Sequence, residues 1–233
     1  MTNEVRLLDT IVSLNEDKEI IDWRVELDPS QPFLDFGVRQ TPVKYVEAEL
    51  KWYYSESLSV EFIEKYAKIW STIKSSEGLV NSNYGWCIFS KANGSQYSNV
   101  LEKLIHNPQT KRACMIYTRP SMHEDSCYKG MKDFMCTNYV QTFIRDNRLI
   151  YIVHQRSCDF IYGFFNDFAW HCHVYMKLLN DLRLQGYSSL EVSDISYHCD
   201  TLHVYPRHYA LLKDMTSIVK YLKHHQYYHG GTR

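Results

Sequence analysis

The sequence has almost no net charge, no long apolar run and no low-complexity tract. Its 26 basic and 27 acidic residues leave a formal net charge of −1, which gives no long-range field for nucleic acid or an anionic membrane. No run of about 18 apolar residues is present, so we predict no membrane-spanning helix. The N-terminal segment MTNEVRLLDT lacks the apolar stretch of a signal peptide, so we expect a soluble protein of the cell interior.

Paired-cysteine motifs are also missing. The seven cysteines form no CxxC pair and their number is odd, so we expect a reducing compartment rather than a disulfide framework. The histidines of HHQYYH near the C-terminus lack metal-ligand spacing, so we interpret them as a polar tail and predict no metal site. The chain has 233 residues, 45% of them hydrophobic, which favours a single domain over residues 1–233 with a substantial core.

Hydrophobic periodicity predicts an α+β fold, with a mainly β middle and helices on its faces. Residues 15–43 are predicted to be irregular, because three prolines break that segment. Asp146-Asn147 predicts a two-residue hairpin turn. Helices are predicted over 3–14, 44–54, 59–70 with Ser59 as its cap, 95–105 with Ser95 as its cap, 165–184 and 207–224. Strands are predicted over 112–118, 139–145, 148–154, 190–198 and 202–205.

One cysteine stands where a nucleophile could meet a ligand. Cys136, in DFMCTN, comes just before a predicted strand, at the edge of a loop. A lone cysteine is more often structural than catalytic, so its position alone leaves both interpretations open. Activation of a thiol requires nearby positive charge, for which Arg156 is a candidate.

Two basic pairs are candidates for holding a phosphate. Lys111-Arg112 and Arg156-Ser157 together offer cations and a hydroxyl, and guanidinium groups bind phosphate oxygens in a bidentate fashion. Either pair alone is equally consistent with solvated surface charge.

Two further pairs have both a structural and a functional interpretation. Asn166-Asp167 opens a predicted helix, where a carboxylate can cap the helix or recognise a base. His203 and Tyr205 alternate along a predicted strand, so their side chains should share one face.

Taken in order along the chain, these residues resemble the thymidylate synthase family. Cys136 followed by Gln141 is similar to the family's catalytic cysteine motif, and residues 155–159 contain its QRS-x-D motif. The remaining matches are Glu49-Leu50-x-Trp52, Tyr84-Gly85, Lys111-Arg112, Gly163 with Asn166-Asp167, and His203-x-Tyr205. The segments NSNYGW, MIYTRPSM, GMKDFMCTN, NDFAW and LHVYPRH resemble most the family's branch of phage deoxycytidylate hydroxymethylases.

The resemblance implies a thymidylate synthase-like α+β fold, with a mainly antiparallel or mixed sheet, packed helices and a sheet-mediated homodimer. It implies transfer of a hydroxymethyl group to a pyrimidine nucleoside monophosphate, first of all deoxycytidylate, with 5,10-methylenetetrahydrofolate as co-substrate. The implied catalytic residues are Cys136 as nucleophile, Glu49 as the base acting on water, and Asp167. The implied substrate-binding residues are Lys111, Arg112, Gln155, Arg156, Ser157, Asn166, Asp167, His203 and Tyr205, with Lys111 and Arg112 reaching the partner's site. The implied folate-binding residues are Asp159, Trp70 and Tyr84.

One departure from the synthase pattern favours cytosine as the base. The synthase asparagine that recognises uracil corresponds to Asp167 in this chain. A carboxylate can accept hydrogen bonds from the N4 amine and from a protonated N3 of cytosine, whereas uracil offers an acceptor at O4. A mismatched pair would leave buried polar groups unpaired, at about 1–3 kcal/mol each.

Other functions stay open on the sequence alone. On the same fold, the alternatives are a thymidylate synthase, a deoxyuridylate hydroxymethylase or a cytidylate hydroxymethylase. In another class, the alternative is a non-catalytic nucleotide- or RNA-binding protein, which the presence of Cys136, Glu49 and Asp159 disfavours. The branch implies the cytoplasm of a phage-infected cell. Arg24 and Arg39 are candidates for the family's N-terminal phosphate-binding arginine, and YYHGGTR has no match to the family's folate-covering tail.

Overall fold

A computed structural model of the chain describes residues 1–125 and 130–229, with side chains through residue 219. The helices are α1 (Asn3–Arg6), α2 (Leu8–Asp17), α3 (Val43–Tyr54), α4 (Ile69–Ile73), α5 (Tyr84–Phe89), α6 (Gln96–His106), α7 (Met122–Asp125), α8 (Gly163–Leu184) and α9 (Tyr209–His229). The strands are β1 (Glu19–Leu27), β2 (Cys114–Ile116), β3 (Thr137–Arg145), β4 (Arg148–Gln155), β5 (Cys158–Asp159) and β6 (Ile195–His203). Short 3₁₀ turns lie at Ile63–Lys65, Lys91–Asn93 and Pro206–His208.

A mixed sheet forms the centre of the fold. Its strand order is β1-β6-β4-β3-β2, and β5 also pairs with β6. β1–β6, β2–β3 and β3–β4 are antiparallel pairs, whereas β4 and β5 run parallel to β6. The predicted α+β class with a mixed sheet is therefore confirmed. None of the helices in the described part of the chain is both long and apolar enough to cross a bilayer.

The predicted hairpin is confirmed at β3 and β4. Asp146 and Asn147 have φ angles of 48° and 59°, and Arg145 pairs with Arg148 across the turn. Two consecutive left-handed residues are the signature of a type I′ turn, whose twist matches that of the flanking strands. Buried and partly exposed residues alternate along both strands, so one face packs on the core.

The prediction of irregular structure over residues 15–43 was wrong for β1. Trp23, Val25 and Leu27 alternate with charged residues, and Trp23 and Leu27 are buried. Such a period of two is typical of a strand with one covered face. The first proline of the segment, Pro29, lies just beyond the strand and therefore does not interrupt its pairing with β6.

The predicted helix from Ser59 to Trp70 is also wrong. Ser59 forms an isolated bridge with Leu79, and only a 3₁₀ turn and the five-residue α4 follow. Tertiary contacts override the helical periodicity here. The indole of Trp52 donates to the carbonyl of Ser59 at 2.9 Å, and its ring packs edge-on against Trp70 at 4.8 Å between centroids.

Two other predictions needed smaller corrections. The helix after Ser95 is confirmed as α6, but Ser95 itself has a left-handed backbone and makes no side-chain capping bond. The two short strands expected over 190–205 are one strand, β6.

Helix α8 is the long buried helix that the sequence predicted, packed among aromatic and aliphatic core residues. It begins at Gly163, so Asn166 and Asp167 are its fourth and fifth residues rather than its cap. The capping interpretation of this pair is therefore wrong.

Helices α3 and α5 approach each other unusually closely at Gly85. An ideal Cβ built on Gly85 would lie 1.9 Å from the carbonyl oxygen of Tyr53. The contact brings the rings of Tyr53 and Tyr84 into a stack with centroids 5.5 Å apart and planes 12° apart. Asn83 reinforces it by donating from Nδ2 to the carbonyl of Trp52 at 2.8 Å. Only glycine permits this backbone separation.

Candidate active site

A cavity of about 790 Å³ lies between α3, α4, α5, the segment before β3, and the ends of β5, β6 and α8. Most of the predicted site residues line it, although they come from distant parts of the chain. These residues are Glu49, Trp70, Tyr84, Cys136, Arg156, Ser157, Asp159, Asn166, Asp167, His203 and Tyr205. A volume of this size suits a nucleotide-sized or larger ligand.

Three predicted residues do not line this cavity. Gln155 is buried behind its wall, beneath Asp167. Lys111 and Arg112 are exposed just before β2 and contribute nothing to the cavity of their own chain.

The carboxylate of Asp167 is held from behind by a buried amide. Nε2 of Gln155 donates to Oδ2 of Asp167 at 2.8 Å and to Oγ1 of Thr137 at 3.1 Å. Oε1 of Gln155 accepts from Sγ of Cys199 at 3.4 Å, which fixes the orientation of the amide. The Thr137 hydroxyl in turn donates to the hydroxyl of Tyr84 at 3.1 Å. One edge of Asp167 is thereby anchored in the protein while the residue faces the cavity.

Burial raises the pKa of Asp167 to about 7, against the opposing effect of the Gln155 hydrogen bond. The negative charge of Asp159 adds to the increase. Near neutral pH the group therefore exchanges a proton readily, which suits a residue that must bind a base in more than one protonation state.

Glu49 is almost fully buried on α3, and burial raises its pKa to about 8. Asp167 pushes this pKa in the same direction, because two nearby carboxylates resist carrying charge together. The hydroxyl of Tyr45 opposes both effects by donating to Oε1 of Glu49 at 2.7 Å. Nε1 of Trp70 donates to the oxygen of Tyr45 at 3.0 Å.

Cys136 lies at the cavity wall directly before β3, as the sequence predicted. Burial, and next the charge of Asp167, raise the pKa of its thiol to about 12. Arg156 lowers this pKa, in the direction expected, but does not outweigh burial. The activation of the thiol expected from Arg156 is therefore too small to offset burial, and a pKa of about 12 leaves Cys136 protonated at neutral pH.

Arg156 also fixes the segment that carries the cysteine. Its Nε donates to the carbonyl of Met135 at 3.0 Å, and its Nη2 donates to the carbonyl of Phe134 at 2.6 Å. The guanidinium lies over the Phe134 ring, 4.7 Å from the centroid. The same cation therefore faces the cavity and orients the chain just before Cys136.

His203 and Tyr205 also face the cavity, as the strand alternation predicted. Their rings meet edge to face, with centroids 4.9 Å apart. Burial raises the pKa of Asp159, and the neighbouring His208, His203 and Arg207 partly offset that increase.

The two candidates for the N-terminal arginine lie outside the cavity. Arg24 is exposed on β1 beside Asp22. Arg39 is buried, and its Nε donates to the carbonyl of Ile161 at 2.6 Å.

The sequence analysis missed several cavity residues. Tyr45 stands four residues before Glu49 on the same helix, a spacing that brings side chains together and was a usable signal. Others carry no motif of their own, including Lys132, Phe134, Tyr162, Arg207 and His208.

In the part of the chain that the structure describes, no cluster of three or more histidines, cysteines, aspartates or glutamates is arranged to hold a metal ion. The histidine side chains of HHQYYH and the residues after 229 lie outside the described side chains. The predicted absence of a metal stays a prediction.

Comparisons with known proteins agree with this architecture. The family model for thymidylate synthase matches residues 17–223. The chain is 44% identical over 184 residues to the deoxycytidylate 5-hydroxymethyltransferase of Enterobacteria phage T4, covering 78% of this chain and 74% of that protein. It is 24% identical over 210 residues to thymidylate synthase from Francisella philomiragia, covering 85% of this chain and 74% of that protein.

A solved structure supports the fold independently. Thermostable thymidylate synthase A from Bacillus subtilis superposes with a TM-score of 0.70 at 19% identity, over 93% of this chain and 84% of that one. The shared fold, the extent of the family match and the 44% identity lead to one conclusion: the chain belongs to the thymidylate synthase family.

Proposed function

We propose that this chain is a deoxycytidylate 5-hydroxymethyltransferase, which converts deoxycytidylate, 5,10-methylenetetrahydrofolate and water into 5-hydroxymethyl-deoxycytidylate and tetrahydrofolate. The observation that carries the proposal is the placement of Cys136, Glu49 and Asp167 around one cavity. The similarity to phage enzymes named deoxycytidylate 5-hydroxymethyltransferase supports the choice of reaction.

In the first step Cys136 adds to the base. The thiol first gives up its proton to water. Its Sγ then forms a bond to carbon 6, and the electrons of the 5,6 double bond move through carbon 4 to N3. N3 takes a proton from Asp167, whose pKa of about 7 makes that proton available near neutral pH. The product is an enamine whose carbon 5 is nucleophilic.

The co-substrate supplies a one-carbon unit at the oxidation level of formaldehyde. Carbon 5 bonds to that methylene carbon as the bond from the methylene to N10 of the folate breaks. Loss of the carbon 5 proton and cleavage of the remaining bond to N5 then release tetrahydrofolate and leave an exocyclic methylene. Glu49 accepts a proton from water as the water oxygen bonds to the methylene carbon. The electrons of the exocyclic double bond return to the ring, N3 gives its proton back to Asp167, and Cys136 leaves as thiolate.

The remaining cavity residues bind the two substrates in this proposal. Arg156 and Ser157 hold the phosphate, and His203 and Tyr205, which line the same cavity, hold the ribose. Asn166 binds beside the base, and Gln155 acts indirectly by orienting Asp167. The folate lies against Asp159, Trp70 and Tyr84.

A homodimer completes the phosphate site. Ile116, Tyr139, His154 and His198 form one cross-strand row on a partly exposed face of the sheet. Ile116 is 54% exposed and Tyr139 is 36% exposed, so this face offers apolar surface for a second copy. Lys111 and Arg112 lie beside β2 at its edge, where they reach toward the partner's nucleotide.

Subunit complementation tests this shared site. Cys136→Ser and Arg112→Glu should each abolish activity alone. An equimolar mixture that exchanges subunits should regain about a quarter of wild-type activity, because one site in each mixed dimer is then intact. No recovery in a mixture shown by sedimentation to contain mixed dimers would contradict a shared site.

The reaction itself is tested by mass spectrometry of the product from deoxycytidylate, cytidylate and deoxyuridylate. A gain of CH₂O from deoxycytidylate is expected, and Cys136→Ser should give no product. A gain of CH₂ from deoxyuridylate would identify a thymidylate synthase instead, and turnover of cytidylate would identify a ribonucleotide enzyme. The working location is the cytoplasm of a phage-infected cell, and we expect no metal requirement.

A further inference from the structure

Tyr45 lies one helical turn before Glu49 on α3 and also lines the cavity. Its hydroxyl donates to Oε1 of Glu49 at 2.7 Å and accepts from Nε1 of Trp70 at 3.0 Å. These contacts form a three-membered chain, Trp70 to Tyr45 to Glu49, that joins α4 to α3. The proposed reaction steps assign no role to Tyr45.

The direction of this chain is fixed by its first member. An indole Nε1 can only donate, so the Tyr45 oxygen must accept from Trp70. The single hydrogen of the Tyr45 hydroxyl is then left for Glu49. In the structure it donates to Oε1 of Glu49, which leaves Oε2 as the oxygen that can take a proton.

We propose that Tyr45 is a positioning residue, whose hydroxyl orients Glu49 and stabilises its charged form so that Oε2 takes the proton from the attacking water. This role rests on the proposed hydroxymethyl transfer. The reaction alone does not distinguish the two oxygens of Glu49, whereas this role makes one of them anchored and the other reactive.

The electrostatic surroundings show why such support matters. Glu49 faces Tyr45 and Tyr53 from its own helix and Asp167 from α8. Burial and Asp167 both disfavour its charge, whereas the hydrogen bonds of Tyr45 and Tyr53 favour it. Without Tyr45, the pKa of Glu49 would rise further above about 8 and less of the base would be available near neutral pH.

Replacing Tyr45 by phenylalanine removes only the hydroxyl. We expect Tyr45→Phe to lower kcat for 5-hydroxymethyl-deoxycytidylate by about 10- to 100-fold, the range for one hydrogen bond to a charged catalytic group. The KM for deoxycytidylate should change by no more than about two-fold, since the hydroxyl does not hold the nucleotide. The acid limb of the kcat–pH profile should move to higher pH.

Tyr54→Phe is the matched control. It removes a phenol from the same helix, where the hydroxyl bonds Nε2 of His173 at 2.8 Å away from the cavity. Its kcat and pH profile should equal those of the wild type. Thermal unfolding of both variants separates a folding defect from a catalytic one.

A double-mutant cycle with Glu49→Gln decides whether Tyr45 acts through Glu49. The Tyr45→Phe change should cost no further activity once Glu49 is glutamine. An equal loss in both backgrounds, or a kcat–pH profile that does not move, would overturn the role of Tyr45. Failure of the wild type to form any hydroxymethyl product would instead overturn the proposed function, so the two failures are distinguishable.

Discussion

Gly85→Ala is expected to be among the most damaging small substitutions in this chain, because it separates α3 from α5. The new Cβ would lie 1.9 Å from the Tyr53 carbonyl oxygen and 2.3 Å from its carbon, whereas ordinary contact begins at 3.4 Å. One helix must therefore move by about 1.5 Å, the difference between those distances. The movement strains the Tyr53–Tyr84 stack and the bond from Asn83 to Trp52.

The loss of folding stability caused by Gly85→Ala can be calculated from these contacts. Overpacking of a core costs about 1–3 kcal/mol, an aromatic pair contributes about 0.5–1.5, and a buried hydrogen bond contributes about 1. Together they predict a loss of about 3–5 kcal/mol in the free energy of unfolding, which for a domain of this size lowers Tm by about 10 °C.

Urea denaturation and thermal unfolding of Gly85→Ala measure this loss directly. Gly163→Ala is the matched control, since a Cβ there would meet only the Asp159 Cβ at an ordinary 3.7 Å and should change stability by less than about 1 kcal/mol. If Gly85→Ala were as stable as Gly163→Ala, the close approach of α3 and α5 would not exist as described.

Three other outcomes follow from the cavity. Asp167→Asn should shift the ratio of kcat/KM values toward deoxyuridylate over deoxycytidylate by at least about 100-fold, because polar groups at the base edge of deoxycytidylate lose their partners. Steady-state kinetics with both nucleotides measure this ratio, and an unchanged ratio would refute the prediction. The same substitution removes the second-largest cause of the raised Cys136 pKa, so iodoacetamide should label Cys136 faster in Asp167→Asn than in the wild type at pH 8; equal rates would contradict the electrostatic coupling. The folded-state pKa of Glu49 is raised from 4.5 to about 8, so its contribution to stability is complete below pH 4.5 and lost as pH rises through 8. Glu49→Gln should therefore be more stable than the wild type at pH 8.5 but not at pH 4.5, and a gain independent of pH would argue against a buried carboxyl.

Much of the site was predictable because its residues occur in short motifs that follow the same order along the chain as in the thymidylate synthase family. Cys136, Arg156 and Asp167 were found in this way, and the structure brings them to one cavity. Tyr45 and the indirect position of Gln155 were not found. The four-residue spacing of Tyr45 and Glu49 on α3 was a usable signal, whereas the hydrogen bond from Gln155 to Asp167 joins two elements and leaves no pattern in either one.

Protonation states were the least predictable property of the site. The sequence suggested that Arg156 would activate Cys136, but the balance between that cation, burial and Asp167 depends on packing from several elements at once. The roles assigned to individual site residues, the dimer and the single-domain organisation stay predictions.

The fold was likewise predictable at its strongly patterned elements but not at others. Periodicity predicted α8 and the β3–β4 hairpin, which are strongly patterned. It failed at β1, where the alternation at Trp23, Val25 and Leu27 determines a strand although prolines lie nearby. It also failed after Ser59, where the Trp52–Trp70 contact overrides local preference.

The position of β6 between β1 and β4 has a consequence for how the chain acquires its structure during synthesis. β1 leaves the ribosome long before its sheet partner, which spans residues 195–203. Until that late strand emerges, β1 has no neighbour in the sheet, and contacts of such long sequence separation form slowly. A nascent chain that stalls before residue 195 should therefore expose β1 to chaperones and proteases, while the β3–β4 hairpin can already form from its local turn.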